Sequence, residues 1–258
     1  MNKIELSTFQ CNMCGGLGDT FLAMLLLIYR HLPFLNDELT ITFIHDNKKH
    51  DFLFFKKLFL LNFPSNWTII NRFLNTIRKD LHQQNLILYE KIKELNFEPF
   101  FTDEIKTFTQ KRKTVCFKIY VRDIHTTEQI NLKCLDYKSI NSEQYEKILD
   151  LFSKYEDEID FIEFYDWYKD KRSLNQNIIL EDSIEVSNNN LKLIYNSNLV
   201  ICCEGFFSIA SNVFKKETVV YCENEGLGLL KNDNQYFCLN FNIFLKEIEN
   251  QLCSLINK

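Results

Sequence analysis

Apolar and polar positions fall in short blocks whose period switches between two and about 3.6 residues. Ile4–Met13 reads as a first strand. Thr20–Leu32 reads as a helix that is apolar nearly all round, hence buried. Leu39–His45 (LTITFIH) is an alternating β-branched run and predicts a strand; Lys48–Leu61 predicts a helix and Trp67–Ile70 a short strand. Arg72–Leu95 carries a long helical pattern. Pro99–Lys113 is polar, ends in Lys111-Arg112-Lys113 and reads as a crossover. Beyond it the pattern starts afresh, with strands at Thr114–Val121, Ile159–Tyr165, Asn177–Leu180, Asn198–Cys203 and Thr218–Cys222. Helices are expected at Ser142–Tyr155, Asn188–Ser197, Ser208–Phe214 and Ile243–Ile256.

Strands alternating with helices imply βαβ units and parallel sheets, so the expected class is α/β. The renewed pattern near residue 114 suggests two small doubly wound halves, residues 1–110 and 111–258. A ligand is expected between them, at the carboxyl ends of strands.

The chain has 258 residues, 46% of them hydrophobic, which is ample for a core and excludes general disorder. A net charge of −5 removes any global basic field for nucleic acid or an anionic membrane. No secretory core follows the start, and the longest apolar stretch, Phe21–Tyr29, is about half the length of a membrane span. Nine irregularly spaced cysteines suit a reducing cytoplasm with free thiols. Cys11-x-x-Cys14 lacks a second ligand pair, so burial explains it better than zinc, and no metal is expected.

Glycine is scarce, with six residues, and all six fall at Gly15, Gly16 and Gly18, at Gly205, and at Gly226 and Gly228. The first two clusters each lead from an expected strand into an expected helix. Free N–H groups and the helix dipole favour an anion at such a junction. The plain alternative is a tight βα turn. The dinucleotide fingerprint fits poorly, because Phe21 stands where a third small residue belongs. The P-loop pattern and the GxSxG elbow of serine hydrolases are both missing from the sequence.

Cys14-Gly15-Gly16-Leu17-Gly18-Asp19-Thr20 before an apolar helix resembles the N-terminal loop of GT-B glycosyltransferases, both alpha-1,2-fucosyltransferases and ADP-heptose heptosyltransferases. Lys118 to Asp123 (KIYVRD) is similar to a degenerate His-x-Arg-x-Gly-Asp strand end of the former. Tyr195 to Ala210 is similar to their late donor-binding strand, loop and helix. The departures are Tyr120 in place of His, no Gly before Asp123, and Asp19 where fucosyltransferases have Asn.

The resemblance implies an inverting, metal-independent transfer of a sugar from a nucleotide-diphosphate donor to a glycan hydroxyl, in two Rossmann-like, GT-B-like halves. The first half would serve the acceptor and the second the nucleotide sugar. No cofactor is then required. Gly15, Gly16 and Gly18 would lie near the donor, and Glu204, Gly205, Phe206, Phe207 and Ser208 would cradle it. Asp166 and Asp182, at strand ends, are candidates for the ribose. Arg122 would clamp the leaving diphosphate and Asp19 would act as general base. Ordinary alternatives are an ion pair for Arg122 and a helix N-cap for Asp19. The expected partners are the nucleotide sugar and a glycan acceptor, with no nucleic acid, while peripheral membrane contact stays open. Two rival classes are a non-catalytic interaction module on the same frame and a Rossmann methyltransferase with a single sheet, using Gly15–Gly18.

Overall fold

The computed structural model describes residues 3–11, 17–45, 51–74, 95–108, 110–121, 139–164, 183–223 and 233–258. The chain divides into two compact units, Met1–Glu104 and Ile105–Lys258.

In the first unit β1 (Lys3–Cys11), β2 (Glu38–His45) and β3 (Trp67–Phe73) form a parallel sheet in the order β1-β2-β3. The described strands step in one direction, so no reversal of order occurs among them. Helix α1 (Leu17–His31) buries Phe21 through Ile28 without a break, which explains its all-round apolar sequence. Helix α2 (Phe52–Leu58) is shorter than the expected Lys48–Leu61. Asp51 caps it by accepting from Phe54 N at 3.0 Å, and Leu60, at φ 53°, turns the chain out of the helix. Most of the expected Arg72–Leu95 helix lies outside the described residues.

His31, at the end of α1, is 1% exposed. Its Nδ1 lies 2.9 Å from the Leu27 carbonyl, which can only accept, so Nδ1 carries the proton in the neutral ring. Burial lowers its pKa, the Leu27 hydrogen bond opposes that, and neighbouring Arg30 lowers it further. The unfolded chain therefore binds more protons below about pH 6.5. Stability should be fully present above that pH and be lost as pH falls from there toward the lowered folded value. Urea midpoints at pH 7.5 and 5.5 should differ in wild type and differ less in His31→Gln; equal differences would remove His31 from the account.

In the second unit β4 (Lys113–Lys118), β7 (Ile159–Glu163), β8 (Leu199–Cys203), β9 (Thr218–Tyr221) and β10 (Gln235–Cys238) form an all-parallel sheet in the order β10-β9-β8-β4-β7. Two short strands, β5 (Tyr120–Val121) and β6 (Ser139–Ile140), pair separately and in parallel. Helices α3 (Ser142–Ser153) and α6 (Phe241–Asn257) share a core with Val115, Phe117, Leu199, Ile201, Val219 and Tyr221 on one face of the five-stranded sheet. Alternate residues face the other side, where Cys116 Sγ lies 3.8 Å from Leu193 O of helix α4 (Ser183–Asn196). Helix α5 (Phe206–Val213) follows β8. The near-continuous burial of β4, β8 and β9 is what a parallel sheet covered on both faces requires.

Several edges differ from the sequence expectations. α4 begins at Ser183 instead of Asn188, because three consecutive asparagines of low helix propensity sit inside it. α5 begins at Phe206 instead of Ser208. β10 carries no alternation long enough to be read. The expected Asn177–Leu180 strand lies outside the described residues. Among the described residues no helix is long and apolar enough to cross a membrane.

Candidate functional site

Numbered by chain order within the five-stranded sheet, the strands run 2-1-3-4-5, with β4 first, β7 second and β8 third. The order reverses between β4 and β8. In such sheets the crevice outside the carboxyl ends at the reversal is where ligands bind. Residues at that edge come from the ends of β4, β7 and β8.

At the end of β8 the chain passes through Glu204 and Gly205 into α5. Glu204 is half-buried, and its N–H donates to Tyr221 O at 3.0 Å, which ties the turn to the end of β9. Gly205 has φ 150° and ψ −149°, a conformation open essentially only to glycine. A Cβ added there would meet nothing within 4 Å, so the glycine is required by the backbone and not by crowding. Ser208 Oγ accepts from Gly205 N at 3.0 Å and donates to Gly205 O at 2.8 Å, closing the first turn onto the loop. From β10, Gln235 Nε2 donates to Ser208 O at 2.8 Å and Asn212 Nδ2 donates to Gln235 Oε1 at 3.1 Å. The start of α5 is thus held from within and from the sheet. Gly205→Ala should cost about 1–3 kcal/mol from backbone strain alone, read as a lowered urea midpoint. An unchanged midpoint would mean the loop relaxes freely.

Two further groups at this edge escaped the sequence analysis as site residues. Lys118 ends β4, is 6% exposed, and its ammonium lies 3.0 Å from the Glu163 carboxylate at the end of β7. Its only sequence signal is a charge inside the apolar run TVCFKIYV. Phe164, just after β7, donates its N–H to Phe117 O at 2.9 Å and stacks on Phe207 with ring centroids 4.4 Å apart and planes 8° apart. Tyr120 N donates to Cys203 Sγ at 3.4 Å and links the far side of β4 to β8. Burial pushes the Cys202 thiol well above its ordinary pKa, with Cys203 and Glu204 adding to the effect, which favours the neutral thiol.

Of the expected site residues, Glu204, Gly205, Phe206, Phe207 and Ser208 fall together at the β8–α5 turn. Phe206, Phe207 and Ser208 are buried, so the two phenylalanines form the turn's apolar support. Gly18 and Asp19 belong to the first unit, as the second and third residues of α1. Asp19 therefore sits inside the first turn and not at the N-cap. Gly15, Gly16, Arg122, Asp166 and Asp182 lie outside the described residues. Among the described residues no group of three His, Cys, Asp or Glu side chains could hold a metal ion. An open depression of about 390 Å³ on the second unit is lined by Leu149, Phe152, Glu156, Asp160 and Phe161 among others, and by none of the expected site residues.

No family profile, curated protein or solved structure matches this chain. What it does has to follow from its own residues. The carboxyl edge combines a helix start, a buried ammonium paired with a carboxylate, and a glycine-dependent turn. Of these, the helix start is the feature that suits an anion.

Proposed function

We propose that this protein is a glycosyltransferase that moves a sugar from a nucleotide-diphosphate donor to a glycan hydroxyl without a metal. The observation that carries the proposal is the Gly205 turn, at φ 150°, opening α5 at the point where strand order reverses. On this reading the diphosphate meets the start of α5, where helix N–H groups and the dipole offset its charge as it leaves. Arg122 adds a forked cation, Asp166 and Asp182 take ribose hydroxyls, and Asp19 accepts the acceptor's proton. Gly15, Gly16 and Gly18 let backbone approach the substrates. The resemblance of Cys14–Thr20 and Tyr195–Ala210 to GT-B sequences supports the same assignment. Among the described residues the strands fall into sheets of three, five and two strands, which speaks against the single-sheet methyltransferase.

A thermal-shift panel of GDP, UDP, ADP, CMP and S-adenosylmethionine, with and without magnesium, tests it. One diphosphate at about 100 times its dissociation constant should add about 2.7 kcal/mol of stability without magnesium, and Arg122→Ala should abolish the shift. A shift with S-adenosylmethionine alone, or with none of the five, would overturn the proposal.

A further inference from the structure

A second constellation lies in the first unit and has no part in the proposed transfer. Ser7 Oγ of β1 is 2.7 Å from His31 Nε2 at the end of α1. Because the Leu27 carbonyl holds the proton on Nδ1, Nε2 of the neutral ring is an acceptor, and the Ser7 hydroxyl must be the donor. The hydrogen bond therefore points the way a general base needs it to point. Nucleophile, base and a third group orienting the base stand in sequence, which is the arrangement that activates a serine.

Two features set this pair apart from an ordinary buried histidine with satisfied nitrogens. The first is unequal access. His31 is 1% exposed and flanked by the edge of Trp67 at 5.9 Å, whereas Ser7 is only half-buried. The base is enclosed, while the serine end of the hydrogen bond keeps partial access to solvent. The second is a bulge placed directly before the serine. Ile4 pairs with Leu39 and Ser7 with Ile41, so Glu5 and Leu6 of β1 oppose the single residue Thr40 of β2. A bulge leaves one residue without a ladder partner and re-aims the side chain that follows, and bulges recur beside active sites for that reason. No local motif marks Ser7, which lies in no nucleophile elbow.

We propose that Ser7 is a nucleophilic serine with His31 as its general base, and that it takes an acyl group from small esters. Ser7 Oγ forms a bond to the acyl carbon while its proton passes to His31 Nε2. The ester C–O bond then breaks, and the departing alkoxide takes that proton from Nε2, leaving an acyl-serine and an alcohol. Water repeats the two steps, with His31 taking and returning a proton, and releases the carboxylic acid.

A fluorophosphonate probe tests the assignment on the full chain. Oγ–P bond formation expels fluoride, and the serine proton leaves through His31. Peptide mapping by mass spectrometry should find the adduct at Ser7 in the folded protein and none at Ser7 in urea. His31→Gln should slow labelling by about 100-fold or more while thermal melting shows that it remains folded. If that variant does not fold, the comparison of folded with urea-unfolded wild type decides alone. No adduct at Ser7 in folded wild type, equal labelling in urea, or a folded His31→Gln that labels as fast as wild type would each overturn the proposal.

Discussion

Phe207→Ala is expected to lower stability by about 3–5 kcal/mol, the cost of emptying a large buried aromatic site. Phe207 is 7% exposed and Phe164 is 2% exposed, and their rings stack at 4.4 Å with planes 8° apart. Phe206 meets Phe207 at 67° and 5.5 Å, so the alanine leaves a hole bounded by two rigid rings. α5 has little freedom to close that hole, because Gln235 and the Ser208–Gly205 bonds hold its first turn. Collapse would have to break buried hydrogen bonds, and the cavity should persist. Chemical denaturation of wild type, Phe207→Ala and Phe207→Leu checks this. Leucine should recover more than half of the loss, and a loss under 1 kcal/mol for alanine would show that the first turn is not held as described.

The second large effect is an asymmetry in the Lys118–Glu163 pair. Glu163→Gln should cost about 1.5–3 kcal/mol, the range for a hydrogen bond to a charged group, and Lys118→Met about 1 kcal/mol or less. The side chains are 7% and 39% exposed respectively. Removing the carboxylate takes a charged partner from a lysine that water reaches poorly. Removing the lysine leaves a carboxylate that solvent can hydrate, and methionine keeps most of the buried volume. Urea unfolding at neutral pH of the two single variants and the double variant gives the coupling directly. Equal costs for the two single changes, or a larger cost for Lys118→Met, would refute the argument from unequal burial.

Both effects depend on residues that no local pattern marks as partners. Phe207 was read as part of a donor-binding loop through its neighbours in sequence, yet its ring is spent on packing against Phe164. The stacking could not be read because it depends on β7 lying beside β4 and on the β8–α5 turn meeting the residue that follows β7. Lys118 stood in the sequence only as the first residue of KIYVRD, with no role of its own. Its meaning comes from Glu163, 45 residues away, on the strand that happens to be its neighbour. The glycine at 205 was more legible, since a scarce residue at a strand-to-helix junction announces a special backbone, and φ 150° is such a backbone. Helix starts were misplaced where side chains obscured the period, as at Asn188–Asn190 inside α4.

By itself, the sequence determined that strands and helices alternate, and hence that the sheets are parallel. Those properties are set by residues within a few positions of each other, through period, β-branching and apolar runs. Tertiary structure alone decided the order 2-1-3-4-5, the position of its reversal, the Lys118–Glu163 pair and the Ser7–His31 contact. The physical reason is that strand order and cross-element pairing depend on which distant segments bury one another. That choice is made by the whole core at once and leaves no periodic trace in the chain.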